Sequence, residues 1–186
     1  MAEKIVFHVS ENNALYLCKH FSKLGISELN KLRKFSTDVE IVKRMSESGS
    51  KFLPDFFNGP YQLITFLNKE SPNQIIPQGP KRLAYLFSFN WFIGTNAVVP
   101  IDELTMEEKD RMMKKERGGV LVWALNTNKL FFTKQVILIL EGEQVITCFP
   151  GLYAPPLPSI EMDEIELKKV NAFWNEHVFI YCESQP

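Results

Sequence analysis

The sequence predicts an α+β fold: an N-terminal helical half packed on a C-terminal antiparallel β-sheet. Three observations predict it. Apolar residues recur at three- and four-residue spacing behind capping residues before position 70, while β-branched and aromatic runs separated by short turns dominate after position 120. A chain of 186 residues with 45% hydrophobic and 23% charged side chains suits one domain. Such a length buries roughly 70% of the unfolded surface without a metal or disulfide staple. The expected organisation is a single domain, 1–186, with a subdivision at the loop Ser71–Pro80 into a helical half, 1–75, and a sheet-rich half, 76–186.

The elements follow in order. Lys4 to Val9 alternates and reads as a strand. Ser10 caps a helix whose buried face is Ala14, Leu17, Cys18, Phe21 and Leu24, with Gly25 ending it. Ser27 starts a short helix through Phe35. Thr37 and Glu40 form a capping box, in which each side chain bonds the other's free backbone N–H, opening a helix to Met45 with Val39, Val42 and Met45 inward. Pro60 suits the first turn of a helix that buries Leu63, Ile64 and Leu67. Ser71 to Pro80, with three prolines and a glycine, reads as a loop.

Arg82 to Ile93 fits strand alternation and helical spacing about equally; its aromatic content favours a strand. Gly94 to Asn96 is a turn and Ala97 to Ile101 is extended. Thr105 and Glu108 form a second capping box. Acidic residues in the first turn, Lys114 and Lys115 in the last, and Gly118 just beyond predict a helix across this stretch. Strands follow at Val120–Leu125, Phe131–Leu140 and Gln144–Phe149, the last two joined at Glu141-Gly142. Gly151 to Pro158 is a proline-rich extended loop. Asp163 to Glu176 reads as a helix and Val178 to Cys182 as a final strand.

The net charge of −1 gives no bulk attraction to nucleic acid or to an anionic membrane. Local basic groups remain at Lys31, Arg33 and Lys34, at Lys81 and Arg82, and from Lys109 to Arg117. No apolar run reaches the ~18 residues a membrane span needs, and Met1–Val9 is too short and charged for a secretory signal. A cytoplasmic protein with no membrane partner is expected. Cys18, Cys148 and Cys182 lie far apart in apolar stretches and read as buried hydrophobes, neither a disulfide framework nor a zinc site. No phosphate-binding glycine loop, HExxH or GxSxG occurs, so neither a cofactor nor a metal is expected.

Three histidines could move protons. His20, beside Lys19 on the first helix, reads as solvent-facing, and His177 as a cap at the end of the last helix. His8 is the acid/base candidate. The polar residues that interrupt the late apolar segment form the other candidates: Arg117 ahead of Gly118-Gly119, Thr133 and Lys134 within one strand, and Thr147 within another. Alternation sends Thr133 and Lys134 to opposite faces. A guanidinium beside hydroxyls can hold a phosphodiester and stabilise the charge that develops on it. Arg117, Lys134, Thr147 and His8 are thus the catalytic candidates, with Thr133 and Arg82 binding substrate.

Gly94-Thr95-Asn96-Ala97-Val98-Val99-Pro100, Arg117-Gly118-Gly119, Thr133-Lys134 and Val145-Ile146-Thr147-Cys148-Phe149-Pro150-Gly151 together resemble, in order and residue type, the C-terminal part of bacterial toxin-type ribonuclease domains of the barnase, EndoU, colicin and RelE-like class. The likeness spans 94–158. It implies an antiparallel sheet carrying a metal-independent RNA-cleaving site, with RNA as partner. This chain departs from the class in being slightly acidic and in having no histidine within the resembling segment. The alternative expectation is a non-enzymatic protein-interaction domain that uses exposed aromatics from Lys51 to Tyr61 or the 151–158 loop.

Overall fold

Local capping chemistry starts four of the helices. In this computed structural model, which describes residues 5–158 and 160–183, Ser10 caps α1 (Glu11–Leu17), and capping boxes open α3 (Asp38–Met45), α5 (Met106–Asp110) and α6 (Glu164–Glu176). Pro60 begins α4 (Pro60–Leu67), and α2 spans Ile26–Leu32.

Ten strands among the described residues complete an α+β fold. β1 (Gln74–Gln78), β2 (Arg82–Ser88), β8 (Gln135–Glu141) and β9 (Gln144–Pro150) form a fully antiparallel sheet in the order β1-β2-β8-β9. A second sheet runs β4-β10-β6-β5, from β4 (Val98–Pro100), β10 (His177–Tyr181), β6 (Val120–Asn126) and β5 (Met113–Arg117). In it β10 lies parallel to β6, so the strands of this half are not all antiparallel. β3 (Gly94–Thr95) and β7 (Phe132–Thr133) pair separately.

Alternation along β8 builds the core. Val136, Leu138 and Leu140 join the cluster under the N-terminal helices, with Leu17, Phe21, Phe52 and Leu63. Ile137 and Ile139 face the other way, packing with Ile146, Phe149 and Tyr153. The helical half and the first sheet therefore share one core, across the boundary drawn at 75/76. In the second sheet, Val178 and Ile180 pack with Leu125 on one face, while Phe179 points to the α6 side with Val122 and Trp174.

Several sequence expectations are corrected. The helix expected through Lys115 stops at Asp110, and 113–117 is β5, an edge strand on β6. Gly118 and Gly119, at φ +59° and +84°, form the two-residue turn of a hairpin that sets Arg117 opposite Val120. A Gly-Gly pair with both φ values positive suits a type I′ hairpin, and this is what the helix-stop reading mistook. Lysines are natural on such an edge, where they discourage pairing with another chain. The loop expected at 71–80 contains β1, whose Pro77 is tolerated on an edge. The strand expected over 131–140 breaks at Lys134, where the Gln135 N–H donates to Thr133 Oγ1 at 3.1 Å.

Corrections also fall in the helical half. The first helix ends at Leu17 in a tighter 3₁₀ turn, Cys18–His20. The strand expected at 4–9 makes a single bridge, His8 to Gln144, and Lys4 lies outside the described residues. On α3 the inward residue is Ile41, 1% exposed, with Met45 four positions on, while Val39 is 78% exposed and Val42 is also outward. Packing against α1 and the 3₁₀ turn decides that face. Cys182 is exposed, whereas Cys18 and Cys148 are buried.

Replacing Gly119, where a Cβ would meet no atom, with valine isolates the backbone requirement. Gly119→Val should lower stability by about 1–3 kcal/mol in urea denaturation. An unchanged midpoint would argue against the hairpin.

Candidate functional site

Two sheets, α6 and the 18–20 turn leave a cleft of about 320 Å³ between them. Arg117 reaches it from the end of β5, Thr147 from β9, Trp174 from α6, Phe179 from β10, and Tyr16, Lys19 and His20 from the N-terminal helical segment. The stretch from Gly151 to Leu157 walls one side.

A β-bulge places Thr147. Ile139 pairs with Thr147 but Leu140 pairs with Val145, so Ile146 has no partner of its own. Val145 and Cys148 both enter the helix-side core, and Ile146 and Phe149 both face away from it. Strict alternation from Val145 would bury Thr147 under the helices. The extra residue re-aims it into the cleft.

His20 is held by its neighbours on both sides. The Phe52 N–H donates to the His20 carbonyl at 2.8 Å, and Lys51 Nζ donates to the carbonyls of Met45, at 2.7 Å, and Lys19. Gly94 allows the 50–52 segment to approach β9: a Cβ there would lie 2.4 Å from Pro150 Cβ and 2.6 Å from the Lys51 carbonyl. The His20 ring Nδ1 is 2.8 Å from the Ser50 carbonyl, which can only accept, so Nδ1 carries the proton and Nε2 presents a lone pair. Burial drives the His20 pKa from 6.5 down to about 3, against the opposing pull of that carbonyl. The imidazole is therefore neutral at physiological pH.

Two buried side-chain nitrogens have no hydrogen-bond partner among the described residues: His20 Nε2 and Trp174 Nε1. Both residues line this cleft, at 7% and 6% exposure. An unpaired buried polar atom costs about 1–3 kcal/mol.

Arg117 supplies charge. Its guanidinium carbon lies 4.0 Å from the Phe179 ring centroid, and it makes no ion pair with a described carboxylate. Burial lowers its pKa, with Tyr16 nearby acting in the opposite sense; an arginine stays protonated regardless. Lys19 is the second cation, its Nζ 3.9 Å from the Tyr16 ring centroid. Among the described residues, no aspartate or glutamate lines the cleft.

Of the six residues expected from sequence, the structure brings Arg117 and Thr147 together here. The other four lie outside the cleft. His8 is exposed at its bridge to Gln144, far along β9 from the cleft end. Arg82 is exposed and pairs with Glu141 at 3.3 Å. Lys134 is exposed, with Nζ 5.3 Å from the Phe92 ring centroid, and Thr133 is buried between β3 and β8. His20 reverses its expected exposure, because the 3₁₀ turn tightens the chain and swings the ring inward. His177 behaves as a cap, with Nδ1 2.7 Å from the Phe173 carbonyl.

No protein-family model and no curated protein matches this chain. Chemistry at the cleft thus rests on its own residues. Burial pushes the thiol of Cys18 up to about 12 and that of Cys148 up as well, so neither is a thiolate nucleophile. Among the described residues no three His, Cys, Asp or Glu side chains gather as metal ligands, and no helix is long and apolar enough to cross a membrane.

The buried neutral imidazole has a thermodynamic signature. Because the folded His20 pKa lies near 3 and the ordinary value is 6.5, the unfolded chain takes up a proton that the folded chain refuses between these values. Stability is full above pH 6.5 and falls as pH drops towards 3, by about 1.4 kcal/mol per unit from this group. Denaturation midpoints for the parent and His20→Phe across this range should diverge accordingly. Parallel curves would show that the ring is not held neutral.

Proposed function

We propose that this protein binds a phosphate-bearing ligand in the cleft between its two sheets. One observation carries the reading: Arg117 and Lys19 both line the cleft, and no carboxylate among the described residues does. The guanidinium is half-buried and lacks an acidic partner among the described residues. A desolvated cation of this kind attracts an anion more strongly than an exposed one. Phosphate suits it through two parallel N–H···O bonds.

Metal-independent cleavage of RNA by a cytoplasmic, bacterial toxin-type enzyme is the catalytic form of this proposal, supported by the resemblance over 94–158. Arg117 would hold the phosphodiester and stabilise its developing charge, and Thr147 would orient the sugar. His8, Lys134, Thr133 and Arg82 have no part in this version. His20 takes the place of His8, but a ring whose pKa is pressed to about 3 orients a hydroxyl better than it deprotonates one. Binding is accordingly the leading statement.

The rival, a protein-interaction domain, finds support away from the expected segments. Phe52 and Phe57 are buried, leaving Phe56 as the outward ring of 51–61, and the 151–158 loop belongs to the cleft wall. Phe92 and Phe132, 51% and 49% exposed, sit with ring centroids 5.8 Å apart, and Trp91, next to Phe92 in sequence, is also exposed.

Arg117→Gln should weaken phosphate binding at least tenfold, about 1.4 kcal/mol, in calorimetry at low salt. Phe92→Lys with Phe132→Lys should leave it unchanged, since neither ring reaches the cleft. RNA cleavage that persists in chelator and disappears in Arg117→Ala supports the catalytic form. A folded Arg117→Ala that binds phosphate and cuts RNA like the parent overturns the site.

A further inference from the structure

The cleft joins a small cationic group to a larger hydrocarbon lining. Its cations gather around Tyr16: Lys19 Nζ donates to the Tyr16 hydroxyl at 2.5 Å, and Tyr16 is close enough to Arg117 to act on its charge. Most of the remaining lining is apolar. Ile139 and Phe149 come from the cluster on the first sheet's face away from the N-terminal helices, and Val98, Ala154 and Leu157 come from the cluster beside α6. These are separate clusters, and both reach the cleft. Val98, Phe149, Leu152, Ala154 and Leu157 each keep part of their surface open. Inorganic phosphate held by Arg117 would leave that surface uncovered.

We infer that the ligand of this cleft is a phosphate monoester of a small apolar alcohol, with its phosphate at Arg117 and Lys19 and its hydrocarbon body against Val98, Phe149, Leu152 and Leu157. This rests on the anion-binding reading above and adds the class of ligand to it. Taking hydrocarbon out of water is favourable in proportion to the area covered, and here both the body and the walls are covered at once. A sugar or polyol phosphate fits the same walls badly, because each of its hydroxyls must leave water and find a partner. The cleft has few partners to give. Ser50 is buried with Oγ 3.4 Å from His20 Nδ1, and Ser48 is exposed, which leaves the half-buried Thr147 hydroxyl among the apolar side chains. The volume of about 320 Å³ falls at the small end for ligand sites, which suits a compact body and not a polymer.

Calorimetric titration of the full chain at low salt with inorganic phosphate, glycerol 3-phosphate and the n-alkyl phosphates from ethyl to hexyl tests this. Affinity should rise by about fourfold for each added methylene until the cleft is filled. Butyl phosphate should bind at least tenfold tighter than glycerol 3-phosphate, which has a similar length but carries hydroxyls. Val98→Thr, which keeps the shape of the side chain and adds a hydroxyl, should cut that ratio about threefold or more. Leu152→Gln should cut it as well. Arg117→Gln should weaken the whole series together and leave the gain per methylene in place. Should a variant fail to fold, the alkyl series on the parent still decides. A flat series, or glycerol 3-phosphate binding as tightly as butyl phosphate, overturns this inference and leaves the anion site standing. A ratio unchanged in both folded wall variants overturns the placement of the body. Alkyl phosphates that bind Arg117→Gln like the parent, or no binding of any phosphate, overturn the anion site as well.

Discussion

β8 is buried on both faces, and the rest of the molecule is arranged around that constraint. Val136 to Leu140 form five consecutive buried residues. A strand in that situation needs an apolar layer on each side. α1 to α4 supply one through Phe21, Phe52, Leu63 and their neighbours. The other side is covered by fewer residues, Ile76, Ile146, Phe149 and Tyr153 among them. Where that second layer thins out beside Ile139, the second sheet and α6 come near without filling the space, and the cleft is what remains.

The same constraint explains which parts of the fold can be read from sequence. Capping boxes at Thr37, Thr105 and Asp163 and the Glu141-Gly142 hairpin are local: the residues that decide them are within four positions of one another. β8 announces itself because five apolar residues in a row have few other uses. β5 does not. Met113-Lys114-Lys115-Glu116-Arg117 has the composition of a helix end, and it becomes a strand because β6 offers an open edge and Gly118-Gly119 turns the chain back along it. Lys114 then lies opposite Trp123, with its Nζ 4.1 Å from the ring centroid, a cross-strand contact no local pattern encodes. Sequence reasoning reached Arg117 and Thr147 because a polar residue in an apolar run is conspicuous. It missed His20 and Trp174, since burial of a ring at a helix end depends on which distant segment covers it.

Arg117 and the orphaned nitrogens answer different electrostatic problems. A guanidinium whose carbon lies 4.0 Å from the Phe179 ring centroid is attracted to the face of that ring and carries no ion pair with a described carboxylate. That arrangement tolerates water. The unpaired nitrogens of His20 and Trp174 do not, because each is enclosed by side chains and gains nothing from solvent. A protein that leaves two such groups unpaired is less stable than one with apolar replacements by about 1–3 kcal/mol per group.

The proline-rich 151–157 stretch completes the cleft. Pro155 and Pro156 have no N–H to satisfy, so this stretch can cross an apolar surface without forming a strand. Its start is anchored by the Leu152 N–H donating to Asn96 Oδ1 at 2.9 Å. Its end rests on the Arg117 hairpin, where Leu157 Cδ1 occupies the space that a Cβ on Gly118 would need, 2.6 Å away. The wall therefore touches both the turn that aims Arg117 and the loop that follows β3. His20, Arg117, Thr147 and Trp174 come from a 3₁₀ turn, an edge strand, a bulged strand and a helix, and none is near another in sequence. A site assembled from four separate elements exists only in the folded chain, and a strap bearing on one of its carriers ties the position of the charge to that of the apolar wall facing it.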